Sequence, residues 1–254
     1  MSRLFLFSID LEDVRDWMPG GHQYAERVPE MTERYMKFLQ KHRMKATFFV
    51  VGDVARRYPQ LVQEIADEGH EIGIHGWIHE LNSKLAKDDE RELQMRAADT
   101  LERITGRRPV GIRTPSWDFS PNTLAISREM GLLYDSSLMA DDEPYELLED
   151  GEPTGMVELP VEWIKDDAVY FNMDRFSGLR PYTPPSAVLD IFKAEFDGAY
   201  QEHGLFLLTM HPHISGHRSR IAMVEELIEY IRGHQDVWFA THEEVARYCL
   251  QQAG

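Results

Sequence analysis

Two imidazoles four positions apart, His75 and His79, stand directly after a short apolar run in Glu71-Ile-Gly-Ile-His75-Gly-Trp-Ile-His79-Glu80. A helical turn after Ile74 would put positions i and i+4 on one face, where both rings can reach one metal ion. Spacing alone is weak evidence, because eleven histidines in 254 residues give roughly half such a pair by chance. A second pair, His213 and His217, has the same spacing but sits in a polar stretch leading into a helix, where a solvated His217 is expected. A divalent ion needs at least one more protein ligand, and Ser8-Ile-Asp10-Leu-Glu12-Asp13 offers three carboxylates. On an extended strand end Asp10 and Glu12 point to the same side, so one can hold the ion while the other takes a proton from its water. Asp13 is the rival third ligand. Histidine combined with carboxylate suits zinc, iron, cobalt or nickel better than calcium or magnesium. Two histidines and one carboxylate also leave coordination positions open for water and substrate.

The surrounding elements alternate. Short apolar runs at Leu4 to Ile9, Ala46 to Val51, His70 to Ile74, Pro109 to Arg113, Leu132 to Asp135, Leu205 to Met210 and Val237 to Ala240 read as strands. Amphipathic stretches between them read as helices: Glu30 to His42, Asp53 to Ala66 with Pro59 as a break or a new first turn, Asp88 to Ile104, Pro121 to Met130, Pro185 to His203 and Ile221 to Gly233. Thr241-His-Glu-Glu244 matches a capping box before a last helix. About seven such units in this length predict an α/β fold, a distorted (β/α) barrel of about seven parallel strands. The acids after the first strand, His75 and His79, Arg113, Asp135 and His211 all fall at C-terminal strand ends. In a barrel those ends converge on one face. Between about 139 and 185 the rhythm breaks, with one strand-like piece at Val157-Glu-Leu-Pro-Val161. The reading is one domain over 1–254 with an inserted, lid-like segment at about 139–185.

Composition removes several function classes. A net charge of −17 argues against nucleic acid or anionic membrane surfaces as partners, since both call for a basic face. Cys249 is the single cysteine, so neither an internal disulfide nor a cysteine-based zinc site can form. No run reaches the ~18 apolar residues of a membrane span. The short apolar N-terminus ends in acids rather than a cleavage site, so a cytoplasmic location is expected. There is no glycine-rich phosphate loop and no Gly-x-Ser-x-Gly elbow. A glycosidase built on paired carboxylates would leave His75 and His79 without a task.

The set Asp10 with Glu12/Asp13, His75-Gly-Trp-Ile-His79, Arg113-Thr-Pro115-Ser-Trp117, Asp135 and Thr209-Met-His211 resembles, in order, the signature motifs of the polysaccharide deacetylase (carbohydrate esterase 4) family. Trp117-Asp-Phe-Ser120, Tyr134-Asp-Ser-Ser-Leu138 and Val157-Glu-Leu-Pro160 look like the branch holding the Helicobacter-type peptidoglycan deacetylase and the metal-independent allantoinases. The resemblance implies a hydrolase of non-peptide carbon–nitrogen bonds that removes acetyl groups from an amino sugar with a divalent metal, zinc first. It implies Asp10 as the catalytic base, His75 and His79 as metal ligands, Arg113 as the partner of Asp10, and His211 as the acid that protonates the leaving amine. Asp135 would set the protonation of His211, and Pro115, Trp117 and Trp163 would wall the substrate pocket. The family's side-by-side aspartates are here separated, and spacing within the branch points to Glu12 as third ligand with Asp13 open. The substrate is expected to be an amino sugar or a small amide, and homo-oligomers are left open. A metal-independent, allantoinase-like hydrolase of cyclic amides is the alternative on the same fold. A non-catalytic carbohydrate-binding protein is the alternative of another class.

Overall fold

The strand alternation is what makes a barrel of this chain. In the computed structural model, which describes residues 3–16, 19–171 and 183–253, nine strands form one sheet. They are β1 (Arg3–Leu11), β2 (Thr47–Val50), β3 (Glu71–Ile74), β4 (Gly111–Ile112), β5 (Tyr134–Asp135), β6 (Tyr145–Glu149), β7 (Glu152–Glu158), β8 (Leu205–Met210) and β9 (Val237–Ala240). Their order is β6-β7-β5-β4-β3-β2-β1-β8, and β9 lies against the first half of β1. All pairs are parallel except the β6–β7 hairpin. The curled sheet is closed at one point by a parallel bridge between Asp166, downstream of β7, and Thr209 in β8. The expected distorted barrel of parallel strands is therefore present. The antiparallel β6 and its hairpin occupy part of the segment expected to be lid-like, whose residues 172–182 lie outside those described.

Period-2 alternation sorts the side chains into two layers. Along β1, Phe5, Phe7, Ile9 and Leu11 join the large core beneath the helices, while Leu4 and Leu6 join Phe49, Tyr134, Val157, Leu205 and Leu207 inside the barrel. The inward set continues as Ser8, Asp10 and Glu12, so the first strand climbs from apolar to ionisable as it reaches the barrel mouth. Gly111 has to lack a Cβ, because one would stand 1.9 Å from Cζ of Tyr134, whose ring fills the interior. Helices form where amphipathic spacing predicted them, among them Val28–Lys41, Lys87–Thr105, Pro185–Glu202 and Arg218–Arg232. The stretch from Asp53 breaks at Pro59 as expected, giving Gly52–Arg57 and Pro59–Asp67 with the proline in the first turn. The last helix carries the foreseen capping box, the Glu244 carboxylate accepting from Thr241 N–H at 2.8 Å. Among the described residues no helix is long and apolar enough to cross a membrane.

Candidate active site

The C-terminal ends of β1, β3 and β8 deliver five ionisable side chains to the barrel mouth, and the end of β4 sets Arg113 behind them. Asp10, Glu12, His75, His79 and His211 line one cleft with Ser116, Trp117, Trp163, Asp166 and His213. Arg113 lies behind Asp10, wholly buried, with a guanidinium held on every side. Its Nη1 donates to Asp10 Oδ1 and to Ser8 Oγ, both at 2.8 Å. Nε donates to the Ser136 carbonyl at 3.0 Å and Nη2 to the Ser136 hydroxyl at 2.8 Å. Phe49 stacks on the guanidinium at 4.3 Å. An arginine so fixed holds one carboxylate oxygen and leaves the other, Asp10 Oδ2, turned towards His75 Nε2 (3.8 Å) and His211 Nε2 (3.9 Å).

His75 and His79 meet as expected, with ring centroids 5.2 Å apart, but no helical turn brings them together. Residues 75 to 81 form a turn with Gly76 at φ +65° and His79 at φ +62°. The Glu80 carboxylate accepts from Trp77 N–H and Ile78 N–H, which supplies the local hydrogen bonds a helix would have used. Gly76 needs to be glycine here: a Cβ would press within 2.7 Å of Pro115 Cγ.

Glu12, His75 and His79 bring their ligand atoms within 4.8 Å of one another. His75 Nδ1 is 2.8 Å from the Arg113 carbonyl, which fixes that nitrogen as the N–H donor and leaves Nε2 a lone pair facing the cleft. Glu12 is buried, and its Oε2 stands 2.9 Å from His79 Nε2. Burial would raise the Glu12 carboxyl, but His79 and then His211 outweigh it and hold the group far below the usual carboxylate range. The donor set therefore fits a divalent ion of the zinc class. Asp13 takes no part. As an odd-numbered residue it points away from the cleft, into Arg15 Nη2 (2.6 Å) and Arg57 Nη1 (2.7 Å).

His211 is fixed from behind by a residue that sequence reasoning missed. Its Nδ1 lies 2.6 Å from Asp167 Oδ1, and its backbone N–H donates to Asp167 Oδ2 at 3.0 Å. Asp166 Oδ1 is 3.8 Å from the same ring nitrogen. Burial lowers the imidazole, but Asp166 and then Asp167 reverse the sign, and His211 is held well above the ordinary histidine value. The partner expected from Asp135 thus comes from Asp167. Alternation is the reason: Tyr134 points into the barrel, so Asp135 points out, where it meets Glu158 on β7. The adjacent acids Asp166-Asp167, just after Trp163, were the available signal, hidden in the stretch where the strand rhythm breaks. His213, from the second histidine pair, also reaches the cleft, whereas His217 does not.

The cleft wall is aromatic. Trp117 and Trp163 pack with centroids 4.1 Å apart. Ser116 and Trp117 both sit in the left-handed region, φ +54° and +55°, a backbone strain of the kind that persists where a loop must present a side chain. Pro115, expected in the wall, stands behind it against Gly76, and Ser116 lines the cleft instead.

A curled α/β sheet with histidines and carboxylates gathered at its C-terminal strand ends is the arrangement of an enzyme barrel. Residues 18–134 match the family model described as polysaccharide deacetylase. The chain is 26% identical to the peptidoglycan deacetylase of Helicobacter pylori over 287 aligned positions, covering 98% of this chain and 97% of the relative. A solved polysaccharide deacetylase structure from Mycobacterium smegmatis superposes with a TM-score of 0.87 at 32% identity, over 98% of this chain and 91% of that one. The Puue allantoinase structure shares the fold with a TM-score of 0.81 at 23% identity, over 97% and 90%. The chain belongs to the polysaccharide deacetylase family and is a hydrolase of carbon–nitrogen bonds other than peptide bonds.

Proposed function

We propose that this protein is a metal-dependent N-deacetylase acting on a substrate that carries an acetylated amino sugar. The observation that carries the reading is the Glu12–His75–His79 constellation, in which the His75 tautomer is set by the Arg113 carbonyl and the ligand atoms of all three residues lie within 4.8 Å of one another. These three residues would hold a divalent ion, zinc first, which when bound acidifies water and polarises the acyl carbonyl. Asp10, held by Arg113, accepts the proton of the attacking water at Oδ2. The water oxygen bonds to the acyl carbon and the C–N bond breaks. His211, kept cationic by Asp166 and Asp167, gives the Nε2 proton to the departing nitrogen, so that a carboxylate and an amine leave. The Trp117–Trp163 wall offers apolar faces on which a pyranose ring can stack.

The test is acetate release from N-acetylglucosamine oligosaccharides by purified protein, with metal content measured in parallel. Chelation is expected to abolish turnover and zinc to restore it, and His75→Ala and His79→Ala are expected to lose both metal and activity. Turnover that survives chelation and both substitutions would overturn the metal mechanism and favour the metal-free hydrolase of cyclic amides.

A further inference from the structure

Asp135 and Glu158 form a buried acid pair that the chemistry above does not use. They are register partners on β5 and β7, and each is 0% exposed. Glu158 Oε1 accepts from the backbone N–H groups of Ser137 and Leu138, both at 2.9 Å. Its Oε2 and both oxygens of Asp135 accept no hydrogen bond among the described residues. Two ionised carboxylates cannot face each other in such a place, whereas one proton between them supplies the missing donor. Burial first, and then the neighbouring carboxylate, raises Glu158 well above its usual range, and burial raises Asp135 to about 6.

The residue between the pair and the cleft is Ser136. Its carbonyl and its hydroxyl are the two acceptors that fix Arg113 Nε and Nη2, while Ser137 Oγ accepts from Thr114 N–H at 2.9 Å. Whatever fixes residues 136–138 therefore fixes Arg113, and Arg113 fixes Asp10. We propose that Glu158 is a positioning residue, clamping the 136–138 strand end so that Ser136 aims Arg113, and Arg113 in turn aims Asp10 into the cleft. The inference rests on Asp10 being the base.

The test follows the Arg113 Nε–H resonance in the 15N-labelled full chain, identified by its loss in Arg113→Lys. Glu158→Ala, and Glu158→Asp, which is one methylene short of the two backbone amides, are expected to shift that resonance and speed its hydrogen exchange. In both, kcat is expected to fall about tenfold with KM unchanged. Glu158→Gln keeps the accepting oxygen and offers its amide hydrogens to Asp135, so it is expected to restore both readouts. An Arg113 resonance and kcat untouched by the Ala and Asp variants would overturn the clamp, as would a Gln variant that behaves like Ala. A fully active Asp10→Asn would instead overturn the base assignment, and the Arg113 resonance would then decide the clamp by itself.

Discussion

The barrel interior is polar in two successive layers, and the layers treat their polar groups differently. Beneath the cleft, Glu71 accepts from Tyr134 OH (2.6 Å), Thr47 Oγ1 (2.8 Å) and Glu243 N–H (2.9 Å), while His242 meets the same Thr47 hydroxyl at 3.0 Å. Each buried group there has neighbours that satisfy it, and the layer acts as a plug. One layer higher the carboxylates face imidazoles instead, Glu12 Oε2 at 2.9 Å from His79 and Asp10 Oδ2 at 3.8 and 3.9 Å from His75 and His211. The imidazoles diverge as well. His242 is pushed well below the usual histidine value by burial and then by Arg113, whereas His211 is held well above it. Neutral, fully hydrogen-bonded polar groups rigidify a fold; carboxylates and imidazoles gathered around an open cleft can instead hold a ligand.

That contrast can be broken from either side. Asp10→Asn, which keeps the shape and a contact with Arg113 but removes the base, is expected to lower kcat of the folded enzyme by about 10³-fold while its zinc content stays as in the parent. Substitution in the lower layer should do the opposite. Glu71→Ala strands three donors and is expected to cost about 3 kcal/mol of stability in urea melts, with kcat of the folded fraction changed far less. The smallest effect concerns pH. His70, buried at the start of β3, has its pKa lowered to about 4 by burial and then by Lys45. The unfolded chain binds the proton first, so stability is full above about pH 6.5 and falls as pH drops towards 4. His70→Gln should flatten that slope in melts recorded across this range, and an unchanged slope would assign the acid sensitivity to the other buried histidines, His75, His213 and His242.

The sequence read well wherever one period governed a whole element. Strands of near-continuous apolar residues, helices of 3.6 periodicity and ionisable residues at strand ends were enough to expect the barrel and to gather Asp10, Glu12, His75, His79, Arg113 and His211. The same alternation separates Glu12 from Asp13, and it would have turned Asp135 away from His211 had it been applied to β5. Between 139 and 185 no period holds, so neither the β6–β7 hairpin nor Asp167 could be placed. The turn that joins His75 to His79 also escaped, since left-handed backbone at His79 is chosen by Glu80, Gly52 and Pro115 around it rather than by local propensity.

By itself, then, the order of residues determined which strand-end side chains, Asp10, Glu12, His75 and His211, turn to the mouth, because a strand's pleat leaves each only two directions. Tertiary structure decided their partners: Asp167 behind His211, Ser136 around Arg113, Glu158 against Asp135. Those contacts join segments 21 to 44 residues apart, and hydrogen bonds at such separations depend on how the sheet curls shut at Asp166 and Thr209, which no local pattern encodes.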